Sequence, residues 1–178
     1  MPFGESIPAP LDKVLEPKFP TRAGTARRTI ALKEGVRIEP IICFESLFAD
    51  DVRVTASSDP SVIALASNDG WFGRSSAAEL HNLVSVFRAV ENRRPVVIAS
   101  NMGPSEIIDA SGRVVARARA FREATVHATV RIDAPSGLYR RHGDRVVFGF
   151  IALLMFALHL PRILDRLRME VVDAFVRQ

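Results

Sequence analysis

Apolar positions recur regularly only after Gly35. From Met1 to Glu34 prolines, arginines and threonines interrupt every apolar run, so residues 1–34 read as an extended loop segment. Val36 to Cys43 opens on alternating Val36 and Ile38 and closes on Ile41, Ile42 and Cys43, which predicts a strand running into the interior. Ser46 to Thr55 reads as a short helix and Ser61 to Ser67 as a second buried strand. Ala78 to Arg94 carries Leu80, Leu83, Val84, Phe87 and Val90 at three- and four-residue steps, the pattern of an amphipathic helix. Pro95 ends it, and Pro95 to Ser100 is another apolar strand. Ser105 to Asp109, a turn at Ala110-Ser111-Gly112, and Arg113 to Ala118 predict a hairpin; Thr125 to Ile132 alternates again and reads as a neighbouring or edge strand. Strands separated by helices, with one hairpin, indicate an α/β or α+β layered domain over residues 35–139.

The pattern then changes. Val146 to Leu160 has no charged residue if His159 is neutral, with Arg140, Arg141 and Arg145 before it and Arg162, Arg166 and Arg168 behind. A spanning helix usually needs about 20 apolar residues and tolerates roughly 17, so length alone leaves a buried helix equally open. The run follows the completed globular pattern, is apolar on all sides and has arginines at both ends that can snorkel, which favours a transmembrane helix over residues 146–161. Arg162 to Val176 carries Ile163, Leu167, Val171 and Phe175 at helical spacing, so residues 162–178 read as an amphipathic tail on the cytoplasmic surface.

Composition narrows the function classes. The chain has 178 residues, 48% hydrophobic and 25% charged, which is ordinary for a globular domain. Its net charge of +4 rests mainly on arginine, and that balance suits an anionic membrane surface or nucleic acid. The arginines are scattered among acids, without zinc-ligand spacing, a basic helix or an aromatic-rich binding strand, so nucleic acid is not expected as a partner. No metal site or cofactor is expected. The single cysteine, Cys43, cannot form an internal disulfide, and Pro2 to Pro20 lacks the apolar run of a signal peptide.

Cys43 ends an apolar strand and precedes a helix. A thiol at such a turn meets helix N–H groups that favour a thiolate and can bind an oxyanion. Glu45 stands close enough in sequence to tune that thiol or merely to cap the helix. Further motifs follow in order: Asn68-Asp69-Gly70-Trp71-Phe72-Gly73 at the end of one strand, His81, Arg88 and Glu91 along the helix, Arg94-Pro95 at its close, and Asn101-x-Gly103-x-Ser105 after the next strand. Pro2-Phe3-Gly4-Glu5 stands at the start.

From Pro2 to about Arg168 this ordered set resembles the apolipoprotein N-acyltransferases, a membrane branch of the nitrilase, or carbon-nitrogen hydrolase, superfamily. The resemblance implies an α-β-β-α sandwich outside the bacterial inner membrane, on the periplasmic side, followed by a final transmembrane helix; this chain would hold part of the sandwich. It implies a fatty acyl group taken from a membrane phospholipid onto a cysteine as a thioester. The acyl group then passes to the amino group of a diacylglyceryl-cysteine lipoprotein, which is ping-pong nucleophilic catalysis. Cys43 matches the nucleophile, Glu45 the glutamate of the C-Y-E motif, and Glu5 the glutamate of P-F-G-E. The Phe44 amide N–H would be an oxyanion donor, Trp71 and Phe72 would line the lipid mouth, and Asn68 and Asn101 would help form the substrate site.

The sequence departs from that pattern. The family's upstream glutamate base and the lysine before P-F-G-E have no counterpart, Phe44 replaces tyrosine, and Lys13, Lys18 and Lys33 do not occupy the lysine's position. Loss of a general base costs about 10²- to 10⁴-fold, so the chain is expected to be the rear portion of an enzyme and nearly inactive alone. Met1 stands where relatives commonly carry valine, the residue a GTG codon encodes internally, so a start inside a longer reading frame is expected.

Two rival readings remain at this level: a soluble nitrilase-like amidase using the same thiol, and a non-catalytic membrane-associated remnant or binding module. Each residue also has a plain reading. Cys43 can be a buried core thiol, Glu5 a solvated loop acid, Trp71 and Phe72 core aromatics, Arg88 and Glu91 a simple pair on one helix face. His81 reads as a structural hydrogen-bonding group, and Asn101 and Ser105 as groups that satisfy strand ends.

Overall fold

The computed structural model describes residue 26 and residues 28–32, 35–55, 60–132, 135 and 137–176. Six strands form one sheet in sequence order: β1 (Ile30–Ala31), β2 (Arg37–Ile42), β3 (Ser61–Ser67), β4 (Val96–Ser100), β5 (Glu106–Ile108) and β6 (Val114–Arg117). The central strands β2, β3 and β4 are parallel, and β1, β5 and β6 add antiparallel edges. Parallel neighbours need crossovers, which α1 (Ala49–Thr55) and α2 (Ala77–Asn92) supply. After the sheet come α3 (Leu138–His142) and α4 (Arg145–Val176).

The chain thus has the mixed α/β architecture expected, and both crossover helices cover the same face of the sheet. Val52 of α1 and Ala89 of α2 pack in one buried cluster with Ile41, Ile63, Leu65, Val96, Ile98 and Ile108. The alternation of β2, β3 and β4 fixes this: one residue in two points at the helices and is buried, while Val62, Ala64 and Val97 on the other side are half-buried. That second face is where a further sheet would lie in an α-β-β-α sandwich.

Three expectations need correction. The ordered body begins earlier than Gly35, because Ile30–Ala31 already pairs with β2; Gly35, at φ +78°, turns the chain and Leu32 N–H donates to Val36 O at 2.7 Å. The rest of the loop assigned to residues 1–34, Glu5 included, lies outside the described residues except for residues 26, 28, 29 and 32. Thr125 to Ile132 is largely exposed and joins no sheet, since alternation alone does not supply an edge to pair with.

The third correction concerns α2. Its apolar stripe points outward: Leu80, Leu83, Phe87 and Val90 are all exposed, whereas His81, Asn82, Ser85, Arg88 and Asn92 are buried against the sheet and its loops. The inward face is decided by what those loops demand. Asn82 Nδ2 donates to Pro104 O at 2.8 Å and Arg88 Nη1 to Ser46 O at 3.1 Å, while Asn92 Nδ2 bonds within α2, to Arg88 O at 2.9 Å. Buried carbonyls need donors more than an apolar wall.

The two C-terminal segments, 146–161 and 162–176, form one continuous helix that passes through Pro161. Within it Phe148, Phe150, Leu153, Leu154, Phe156 and Leu158 are exposed on all sides. Among the described residues no helix is long and apolar enough to cross a membrane, so the expected spanning helix is present as a helix but not shown as a span. His159, inside the run, donates from Nδ1 to Met155 O at 2.9 Å and so satisfies itself within the helix.

A buried charge group ties α3 to the body. Glu39 on β2, Arg94 before β4 and Arg140 of α3 are all buried. Burial, and then the neighbouring Arg140, hold the Arg94 guanidinium down to about 10, while Glu39 pulls it back up; burial lowers Arg140 too, and Glu39 again opposes it. Removing the carboxylate leaves two buried cations facing each other. Glu39→Ala is therefore expected to destabilise the fold by about 3–5 kcal/mol, read as a lower midpoint in urea unfolding at unchanged slope.

Candidate active site

β2 delivers Cys43 to the open end of the sheet, where a five-residue 3-10 turn, Cys43–Leu47, begins. Cys43 takes φ +49°, in the left-handed region that a residue with a side chain enters at a cost of about 1–3 kcal/mol. Its thiol is free and half-buried. A strained strand-to-helix turn that lifts a nucleophile off a sheet is a known device for presenting one.

Three side chains hold this turn: exposed Glu45 and buried His81 and Arg88. The carboxylate of Glu45 accepts from Ile42 N–H at 2.7 Å across the start of the turn. His81 Nε2 stands 3.3 Å from Cys43 O and 3.1 Å from Ser46 Oγ. Seven residues on along α2, two helical turns later on the same face, Arg88 donates from Nη1 to Ser46 O and, at 3.5 Å, to Leu47 O. Its Nη2 meets Glu91 Oε1 at 2.8 Å, so the Arg88–Glu91 pair exists and also grips the turn.

Behind His81 lies Asp69, 1% exposed, with Oδ1 3.1 Å from His81 Nδ1. Asp69 Oδ1 also accepts from Ser67 Oγ and Oδ2 from Ser100 Oγ, each at 2.6 Å. Burial pushes the carboxyl up, but the hydroxyls of Ser100 and Ser67 and the His81 imidazole outweigh it, leaving Asp69 below the usual carboxylate range. Gly103 is required here, because a Cβ on it would overlap Asp69 Oδ2 and sit 2.8 Å from Ser100 Oγ. Its own N–H donates to Ser100 Oγ at 2.8 Å.

Among the residues expected at the site, Asn68 and Asn101 join two loops. Asn101 Nδ2 donates to Asn68 Oδ1 at 2.7 Å, Gly70 N–H donates to the same oxygen at 3.2 Å, and Asp69 N–H donates to Asn101 Oδ1 at 3.1 Å. Phe72 makes an edge-on contact with Phe44, centroids 6.2 Å apart, and both rings lie within 6 Å of the His81 ring, at 5.9 Å and 5.5 Å. Trp71 is 83% exposed and projects from the same 3-10 turn, Asp69–Phe72. Beside these loops lies an open cleft of about 600 Å³ with Arg74, Ser100, Met102, Phe121 and Arg122 in its wall, the Arg74 guanidinium 4.6 Å above the Phe121 ring. Among the described residues no group of His, Cys, Asp and Glu is placed to hold a metal.

Sequence reasoning overlooked Asp69, Ser46, Ser67 and Ser100 and set His81 aside. A signal was present: His81, Ser85, Arg88 and Asn92 recur at four, three and four residues, a polar stripe as periodic as the apolar one.

A single thiol thus stands in a strained turn at the end of a parallel strand on a layered α/β scaffold, with a buried acid–imidazole pair against the turn's backbone. The chain belongs to the carbon-nitrogen hydrolase family, which matches residues 2–135. It is 35% identical over 158 residues to the apolipoprotein N-acyltransferase of Geobacter metallireducens, covering 85% of this chain and 30% of that one. Against that of Nitrosomonas europaea it is 32% identical over 170 residues, covering 88% and 33%, and against that of Haemophilus influenzae 31% over 180 residues, covering 97% and 34%. The chain thus spans about a third of the length of the curated relatives it matches. Among solved structures it is similar to Saccharomyces cerevisiae Nit3, of branch 10 of the nitrilase superfamily, with TM-score 0.46, 23% identity, and coverage of 57% of this chain and 40% of that one.

The Asp69 network generates a pH prediction. A carboxyl with a depressed folded pKa stabilises the fold above its unfolded value of 3.8, and that contribution disappears as pH falls through the folded value. Asp69→Asn should lower stability at pH 7 by about 1–3 kcal/mol, and the gap to the native protein should narrow below about pH 4. Urea titrations across pH measure both.

Proposed function

We propose that this chain supplies the cysteine-bearing part of an apolipoprotein N-acyltransferase. Cys43 Sγ attacks the ester carbonyl of a membrane phospholipid, the acyl–oxygen bond breaks, and the thiol proton ends on the departing glycerol oxygen as a thioester forms. The amino group of a diacylglyceryl-cysteine lipoprotein then attacks the thioester; the new amide forms, the carbon–sulfur bond breaks, and the amine's proton returns the thiol. The single observation that carries this reading is the presentation of the only thiol at φ +49°, half-exposed at the end of β2.

In this reading the Phe44 N–H faces the developing oxyanion, Trp71 and Phe72 meet the acyl chain, and the arginine-walled cleft suits a phosphate-bearing headgroup. Glu45 positions the turn through Ile42, and Glu5 is assigned a role by resemblance alone. α4 attaches the domain to the inner membrane from the periplasmic side: its apolar run has side chains exposed on every side, which water does not tolerate, and arginines border it. That run disfavours the soluble amidase. It measures about 22 Å at 1.5 Å per residue, against about 30 Å of hydrocarbon, so arginine snorkelling or local thinning completes the fit.

Incubating the purified chain with phospholipid vesicles and measuring its intact mass tests the chemistry. Because the chain lacks the general base, the adduct should form slowly, about 10²- to 10⁴-fold below a base-assisted rate; what does form is expected on Cys43, released by hydroxylamine and absent from Cys43→Ser. An adduct that survives in Cys43→Ser defeats the proposal. Membrane attachment is checked separately: the chain should float with anionic vesicles and be released by detergent, whereas a chain ending after Gly143 should stay in the aqueous fraction.

A further inference from the structure

We infer that His81, backed by Asp69, is a positioning residue that aims the Phe44 amide N–H into the site by gripping the same peptide group from its carbonyl side. The inference rests on the reading of Cys43 as acyl acceptor and goes beyond it by assigning work to two buried residues outside the expected catalytic set.

Cys43 C=O and Phe44 N–H belong to one planar peptide unit. In a trans peptide these two groups point in opposite directions, so whatever fixes the oxygen fixes the hydrogen. The oxygen is 3.3 Å from His81 Nε2, and the imidazole is only 4% exposed. The oxygen therefore points toward the buried imidazole, and the N–H points the opposite way.

The imidazole cannot swing. Nδ1 faces Asp69 Oδ1 at 3.1 Å, Phe44 and Phe72 pack on the ring, and Ser46 Oγ stands at 3.1 Å from Nε2. Asp69 is itself fixed by Ser67 and Ser100. With Nδ1–H directed at the carboxylate, the carbonyl contact is a hydrogen bond in the imidazolium form, where Nε2 also carries a proton and the cation pairs with Asp69. Such a bond also polarises the peptide and strengthens its N–H as a donor. The left-handed φ of Cys43 makes this grip necessary, since without it the peptide can rotate back to an extended conformation and turn the N–H away.

The test separates oxyanion formation from thiol reactivity. Acylation by p-nitrophenyl butyrate passes through a tetrahedral oxyanion; alkylation by iodoacetamide displaces iodide from a saturated carbon and forms none. His81→Phe keeps a ring against Phe44 and Phe72 but has no donor. It is expected to lower the acylation rate about 10²-fold while alkylation stays within about twofold, and His81→Gln, which retains an N–H donor, should recover most of the loss.

A second measurement does not depend on activity. Only one Cys–Phe pair occurs in the sequence, so the full chain labelled with carbonyl-¹³C cysteine and ¹⁵N phenylalanine gives one HNCO peak, from the Cys43–Phe44 peptide itself. That peak should move in His81→Phe and return toward the native position in His81→Gln. An unmoved peak in a folded His81→Phe protein, or equal losses of acylation and alkylation, overturns the inference. If the native protein is alkylated but never acylated by the ester, the acyl-acceptor reading fails instead, and the HNCO comparison still decides whether His81 holds the peptide.

Discussion

The strained turn at Cys43 is the constraint on which the site depends. A left-handed cysteine is stable only where its surroundings hold it there, and here they do so through main-chain oxygens. Cys43 O meets His81, while Ser46 O and Leu47 O meet Arg88. The two gripping side chains stand two helical turns apart on one rigid helix, so the five-residue 3-10 turn is fixed at both ends. The sheet sets where β2 ends; α2 sets how the chain leaves it.

This explains why α2 turns a polar face inward. A helix packed only on strands would bury Leu80, Leu83, Phe87 and Val90. α2 packs across the loops at the strands' ends as well, and those loops present carbonyls that only donors can satisfy. The apolar stripe is left outside, and on the opposite side of the layer the sheet's second face is only half-buried.

Much of the backbone was legible in the sequence. The strand bounds Ser61–Ser67, the helix ended by Pro95 and the hairpin around Ser111-Gly112 all follow from local periodicity and turn chemistry, which are short-range. The inward face of α2 was not legible, because it depends on which carbonyls lie opposite after folding. The strand expected at Thr125–Ile132 failed for the related reason that pairing needs a partner edge. Cys43 stood out as the only thiol, but its partner His81 is 38 residues away, beyond any local pattern.

The two conspicuous motifs, Asn-Asp-Gly-Trp-Phe-Gly at residues 68–73 and Asn-x-Gly-x-Ser at 101–105, look separate along the chain and are one structure in space. β3 and β4 are parallel neighbours in register at Ser67 and Ser100, so their following loops emerge side by side. Asn68 bonds Asn101, Asp69 bonds Ser100, and Gly103 leaves the space into which Asp69 Oδ2 fits. Each residue type then has a reason. The asparagines present both a donor and acceptors, the aspartate accepts from three sides, and the glycine is the only residue without a Cβ to displace it. The spacing between the motifs is the length of α2 with β4, the crossover that brings strand ends together, and this is why the acid behind the imidazole could be fixed from a strand distant in sequence from the thiol.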